Sequence, residues 1–106
     1  MANTIFNGAW CPSITPFDTQ GKIDLPALSQ HMQRLTAAQT SVLLLMGSIG
    51  EFTSLTMAER LMLIREARGM SPLPMVANIS TTCMADMFTL AEEAYACGYQ
   101  AVMILP

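Results

Sequence analysis

The residues whose types and spacing could do chemistry stand together at Gly47-Ser48-Ile49-Gly50-Glu51-Phe52, directly after an apolar run. Two glycines around two residues let main-chain N–H groups turn toward a small anion without side-chain hindrance. A carboxylate or phosphate fits such a cradle, and the Ser48 hydroxyl adds a donor or a proton carrier. The spacing is also that of a plain tight turn between strand and helix, with glycine at positions of positive φ and Ser48 bonded to its own backbone. Glu51 could serve as a general base, but a carboxylate opening a loop before a helix start is more often a cap or an ion-pair partner, and that structural role is expected here.

Other reactive groups are scarce. The only lysine, Lys22, stands in a polar turn at 18–22, where a solvent-exposed amine is a poor Schiff-base former. His31, the only histidine, lies in a helical pattern beside Met32 and reads as a surface or boundary residue, not a ligand. Cys11, Cys83 and Cys97 are odd in number and widely spaced, without CxxC pairing, so packing in a reducing compartment is expected of them. Asp86, Glu92 and Glu93 read as solvated charges on a helix. No metal constellation can be assembled from these side chains.

The scaffold that must position them repeats one order of parts three times: an apolar run of strand length, a polar turn, then a helical pattern. A fourth apolar run follows; the runs are 9–17, 41–46, 75–79 and 100–105. The middle two lack the alternation of a strand with one wet face, which predicts strands covered on both sides. Asp24 is a good N-cap for the first helix, with Pro26 in its first turn and Leu28, Met32 and Leu35 on one face. Thr56 and Glu59 fit a capping box for the second, with Leu61, Ile64 and Ala67 as a buried stripe and Gly69 as the stop. In the third, Met87, Leu90, Ala91 and Ala94 share a face and Gly98 ends the helix.

Alternating strands and helices with a repeat of about 30 residues predict a parallel sheet and an α/β fold. Segment 13–21 carries neither GxGxxG nor a P-loop, which favours a barrel over a doubly wound sheet. In barrels the working residues lie at the C-terminal ends of the strands, here Thr15-Pro16-Phe17, 47–52, 79–82 and Pro106.

A 52% hydrophobic and 12% charged composition suits a unit with a large buried fraction and argues against a disordered tail. The net charge of −3 and the scattered Lys22, Arg34, Arg60, Arg65 and Arg68 exclude a basic stripe, so nucleic acid is not an expected partner. No basic, then apolar N-terminal pattern appears, and no run approaches the ~18 apolar residues that span a bilayer; no membrane association and a cytoplasmic location are expected. The 10 methionines fall mostly beside Leu and Ile, where thioethers fill core gaps.

Four motifs stand in order: Ile14-Thr15-Pro16-Phe17, Gly21-x-Ile23-Asp24, Gly47-Ser48-x-Gly50-Glu51-Phe52 and Leu55-Thr56-x-x-Glu59-Arg60. Jointly they resemble the dihydrodipicolinate synthase and N-acetylneuraminate lyase family, and the likeness continues through 74–79, 91–98 and 101–106. The resemblance implies a single (β/α)8 TIM-barrel domain, of which residues 1–106 supply about the first four strands and three helices. It implies a class I aldolase or lyase that joins or splits pyruvate or a related 2-oxo acid through a Schiff base to a barrel lysine, with no metal or other cofactor. By the same resemblance Ser48 relays a proton, and Gly47, Ser48, Ile49 and Gly50 hold the substrate carboxylate, Ile49 through its main-chain N–H. The family's second hydroxyl falls at Ile49, and losing one hydrogen bond to a charged group costs about 1.5–3 kcal/mol unless replaced. Altered substrate preference or weaker binding is the expectation. Phe52 is similar to the sugar-acid aldolase and dehydratase branches more than to lysine biosynthesis.

The family's Schiff-base lysine and proton-transfer tyrosine lie on later strands, a second tyrosine would directly follow Pro106, and Tyr95 and Tyr99 cannot stand in for either. Residues 1–106 therefore read as a portion cut before the nucleophile and inactive alone, with a homo-oligomer, commonly a tetramer built from dimers, expected of the complete protein by resemblance. The alternatives are a non-catalytic half-barrel that self-associates through its open sheet edges and a module that binds a small carboxylate without chemistry.

Overall fold

The computed structural model describes residues 7–105. Its strands are β1 Trp10–Pro12, β2 Val42–Leu45, β3 Met75–Asn78 and β4 Ala101–Met103, alternating with helices α1 Leu25–Ala37, α2 Met57–Arg68 and α3 Met84–Ala96. All strand pairs are parallel and the sheet order is β1-β2-β3-β4. Register is set by Trp10 opposite Val42, Leu43 opposite Met75, and Val76 opposite Ala101. Pro106 lies outside the described residues.

Local chemistry explains where each helix starts. The Asp24 carboxylate accepts from Ala27 N–H at 3.0 Å and opens α1, with Pro26 in the first turn where its missing N–H is harmless. The capping box of α2 is complete: Glu59 N–H donates to Thr56 Oγ1 at 3.1 Å and Thr56 N–H to Glu59 Oε1 at 2.9 Å. In α3 the N-cap is Cys83, which offers no side-chain bond. Gly98 follows α3 at φ +84, a conformation that costs glycine nothing.

The core lies between the helices and one face of the sheet, where Leu43, Leu45, Met75 and Ala77 meet Leu28 and Met32 of α1, Leu63 and Ile64 of α2, and Leu90 of α3. β2 and β3 are buried along nearly all their length while β1 and β4 are more open, as expected for central and flanking strands. The Tyr99 hydroxyl donates to Ile64 O at 2.9 Å, tying α2 to the approach to β4, and burial pushes its pKa up. Met32, Met46 and Met75 are core residues, whereas Met84 is exposed.

Several expectations are corrected. The first apolar run pairs only over Trp10–Pro12. Proline has no N–H for a ladder, and after Ser13 N–H reaches Leu44 O at 2.8 Å the chain turns to the Phe17–Ile23 bridge. On α2 the buried face is Arg60, Leu63, Ile64 and Ala67; Leu61 is only half-buried. Gly69 does end α2 as expected, in the right-handed region at φ −79. Glu93 is not merely solvated but pairs with Arg65 across α2 and α3. Cys11 and Cys97 pack against the core, while Cys83 is exposed. His31 sits at a boundary position, as its sequence setting predicts.

Candidate functional site

The parallel order brings the C-terminal ends of all four strands to one edge of the sheet. There the chain leaves β2 at Met46 with φ +59, passes through buried Gly47, and closes a turn in which Glu51 N–H donates to Ser48 O at 3.1 Å. Positive φ falls on Met46 and Glu51, not on the two glycines, which corrects the expectation from spacing. Gly50 is required for a different reason: a Cβ on it would stand 3.1 Å from both Ser13 O and Met46 Cα. The loop is pressed against the end of β1, and only a residue without a side chain allows that approach. Gly50→Ala is therefore expected to lower stability by about 1–3 kcal/mol, measured by urea unfolding, with amide shifts confined to the loop and the residues after β1.

Ser48 and Ile49 are exposed at the tip of this turn, Ile49 at 56%. Among the described residues the Ser48 hydroxyl bonds to no protein group, and the N–H groups of Ser48, Ile49 and Gly50 donate to no backbone oxygen. The exposed tip therefore presents the Ser48 and Ile49 N–H groups and the Ser48 hydroxyl without a partner among the described residues. Glu51 caps nothing with its side chain; its contribution is the left-handed backbone that turns the loop into the helical turn Phe52–Ser54.

Behind the loop lies a polar network that the sequence reading did not single out. Asn78, fully buried, donates from Nδ2 to Met46 O at 2.8 Å and accepts from Ser80 N–H and Oγ–H at 3.1 and 2.6 Å. Ser80 Oγ in turn accepts from Leu105 N–H at 2.7 Å. Arg60, 4% exposed, donates to Asn78 O and Ser80 O, each at 2.7 Å, and lies 5.4 Å from the centre of the Phe52 ring. Desolvation lowers its pKa and the negative charge of Asp86 partly opposes that. The signals were present: an amide inside an apolar run needs partners, and Arg60 is in phase with Leu63, Ile64 and Ala67.

The structure thus gathers Gly47, Ser48, Ile49 and Gly50 with the ends of β1 and β3, and Thr15 is buried next to β1. An open cleft of about 530 Å³ lies beside them, bordered by Phe52, Arg60, Thr81 and Leu105, and Ser48 is not part of its wall. Lys22 is exposed between β1 and α1. Among the described residues no group of His, Cys, Asp and Glu could hold a metal ion, and no helix is long and apolar enough to cross a membrane.

Comparison with known proteins gives this geometry its context. Residues 5–106 match the profile of the dihydrodipicolinate synthetase family. Among curated relatives, an L-threo-3-deoxy-hexylosonate aldolase of Aspergillus niger is 34% identical over 93% of this chain and 32% of its own length. Among solved structures, a 2-keto 3-deoxygluconate aldolase from Picrophilus torridus superposes with a TM-score of 0.93 at 29% identity, over 95% of this chain and 37% of its own. A prophage protein of the dihydrodipicolinic acid synthase family from E. coli K12, in complex with pyruvate, gives 0.90 at 26% identity over 93% and 34%. The chain spans about a third of the length of these relatives. Its parallel sheet and three helices correspond to the N-terminal half of a (β/α)8 barrel.

Proposed function

This chain belongs to the dihydrodipicolinate synthetase family, and from that premise we propose that it supplies the N-terminal half of a Schiff-base aldolase or lyase acting on pyruvate or a related 2-oxo acid. The observation that carries the proposal is the loop after β2, where Gly50 is clamped against β1 and Ser48 and Ile49 stand exposed with unengaged N–H groups. In this reading the N–H groups of Ser48, Ile49 and Gly50, with Gly47 giving the turn its room, hold the substrate carboxylate. Ile49 supplies no hydroxyl, so its main-chain N–H carries that contact alone.

The covalent step needs an amine on one of the remaining strands. Its nitrogen adds to the keto carbon, water leaves, and the iminium formed makes the neighbouring C–H acidic enough to lose a proton. The resulting enamine adds to an aldehyde, and hydrolysis frees the amine; the cleavage direction is the reverse. Ser48 carries protons between substrate and solvent along this path. No metal or cofactor takes part. We place the protein in the cytoplasm as a homo-oligomer, without nucleic acid or membrane as partners.

Borohydride reduction of the full-length polypeptide in the presence of pyruvate tests the reading. A stable adduct on a strand-borne lysine, with Lys22 unmodified, is the expected result. An unchanged mass, or an adduct at Lys22, would overturn it. The reading left standing would then be a non-catalytic half-barrel that self-associates or binds a small carboxylate. The exposed Phe88, Tyr95 and Val102 along α3 and β4 favour the self-associating form.

A further inference from the structure

Asn78 occupies an improbable place for an amide. It closes a strand whose other members are Met75, Val76 and Ala77, and it is 0% exposed. A buried amide is retained at low cost only when its bonds are made, and those of Asn78 tie the end of β3 to that of β2 and, through Ser80, to the residues past β4. Its Nδ2 holds Met46 O, the carbonyl at which the chain turns left-handed into Gly47 and Ser48. Its Oδ1 holds Ser80, whose hydroxyl oxygen receives Leu105 N–H just past β4. Met46 has no conformational liking for φ +59, so an external tie on its peptide is what keeps the loop in that path.

We propose that Asn78, braced by Ser80, is a positioning residue that aims the Ser48 loop. The proposal rests on the reading of Ser48 as the proton relay. A residue serving only the core would affect stability and leave the loop's chemistry alone.

The test uses the full-length enzyme with Asn78→Leu, which keeps the bulk and removes the side-chain bonds, and Ser80→Ala, which removes the hydroxyl brace and the acceptor of Leu105 N–H but keeps the Ser80 N–H bond. Asn78→Leu is expected to lower kcat by about 10- to 100-fold, the scale of a misplaced reacting group, and Ser80→Ala to lower it less. In a Ser48→Ala background both losses should largely vanish, because the residue they aim is gone. Unchanged kcat in both variants, or the same fold-loss in both backgrounds, overturns the proposal. Should Asn78→Leu fail to fold, Ser80→Ala carries the cycle with the same two outcomes.

Hydrogen exchange at the Glu51 and Phe52 amides, which close the loop onto Ser48 O and Gly47 O, supplies a readout independent of catalysis. It should rise several-fold in the variants while exchange in α1 holds, and unchanged loop exchange overturns the positioning role. A wild-type enzyme that borohydride cannot trap removes the functional reading instead, and the exchange result then decides the structural part by itself.

Discussion

Replacing Arg60 with methionine is expected to lower the unfolding free energy by about 3–5 kcal/mol, seen as a shift of the urea midpoint. Methionine fills the space of the arginine stem but leaves the carbonyls of Asn78 and Ser80 without the donors that reach them at 2.7 Å. It also strips the cation from beside Phe52. The guanidinium is nearly dehydrated, which lowers its pKa, so its two charge-assisted bonds and the more distant Asp86 are what offset the burial of its charge. Arg60→Lys keeps a charge but not the planar fork that reaches two carbonyls at once, and should fall between wild type and Arg60→Met. A loss under about 1 kcal/mol for Arg60→Met would mean that the two carbonyls find other partners.

Ser48→Ala in the full-length enzyme is expected to reduce kcat by about 10²–10⁴-fold, the contribution of a positioned proton-transfer group. The exposed hydroxyl makes no bond with any described residue, so its removal is expected to cost the fold little. Borohydride trapping should persist at long incubation, since the nucleophile lies elsewhere, and Ser48→Thr should recover most of the rate. This pairing of lost turnover with retained stability and retained imine separates a relay from a structural serine. Wild-type kcat in Ser48→Ala would remove the relay role and leave the loop as a carboxylate cradle alone.

What the sequence made legible was local. Asp24, Thr56 and Glu59 announce helix starts because a cap is completed within three residues of itself, and each does so in the structure. The four apolar runs mark four strands because strand length and helix length differ in their patterning. The first strand is shorter than its apolar run, since Pro12 and Pro16 do not interrupt an apolar pattern but do interrupt a ladder. On α2 Ile64 and Ala67 are buried as their spacing predicts, but the face runs through Arg60 and Leu63 and not Leu61, because the partners of Arg60 lie 18 and 20 residues ahead at the end of β3 and just past it.

At the loop, the motif located Ser48 and the two glycines, but their roles depend on neighbours that spacing does not reveal. Gly50 answers to Ser13 across the sheet, and the left-handed turns fall on Met46 and Glu51, where composition gives no hint of them. The Asn78 bridge is of the same kind, a contact between residues 32 positions apart. Long-range partners of this sort set the aim of the site, while short-range rules set its location.

The sheet order has a consequence in time. Spatial order and chain order coincide, and each strand pairs with the one made immediately before it, roughly 30 residues earlier. Among the described strands none has to be inserted between two already paired. A nascent chain can accordingly build this sheet by accretion as it leaves the ribosome, β2 onto β1 and β3 onto β2. The hydrogen bond that aims the Ser48 loop becomes available only at the second of these additions, when Asn78 arrives with β3.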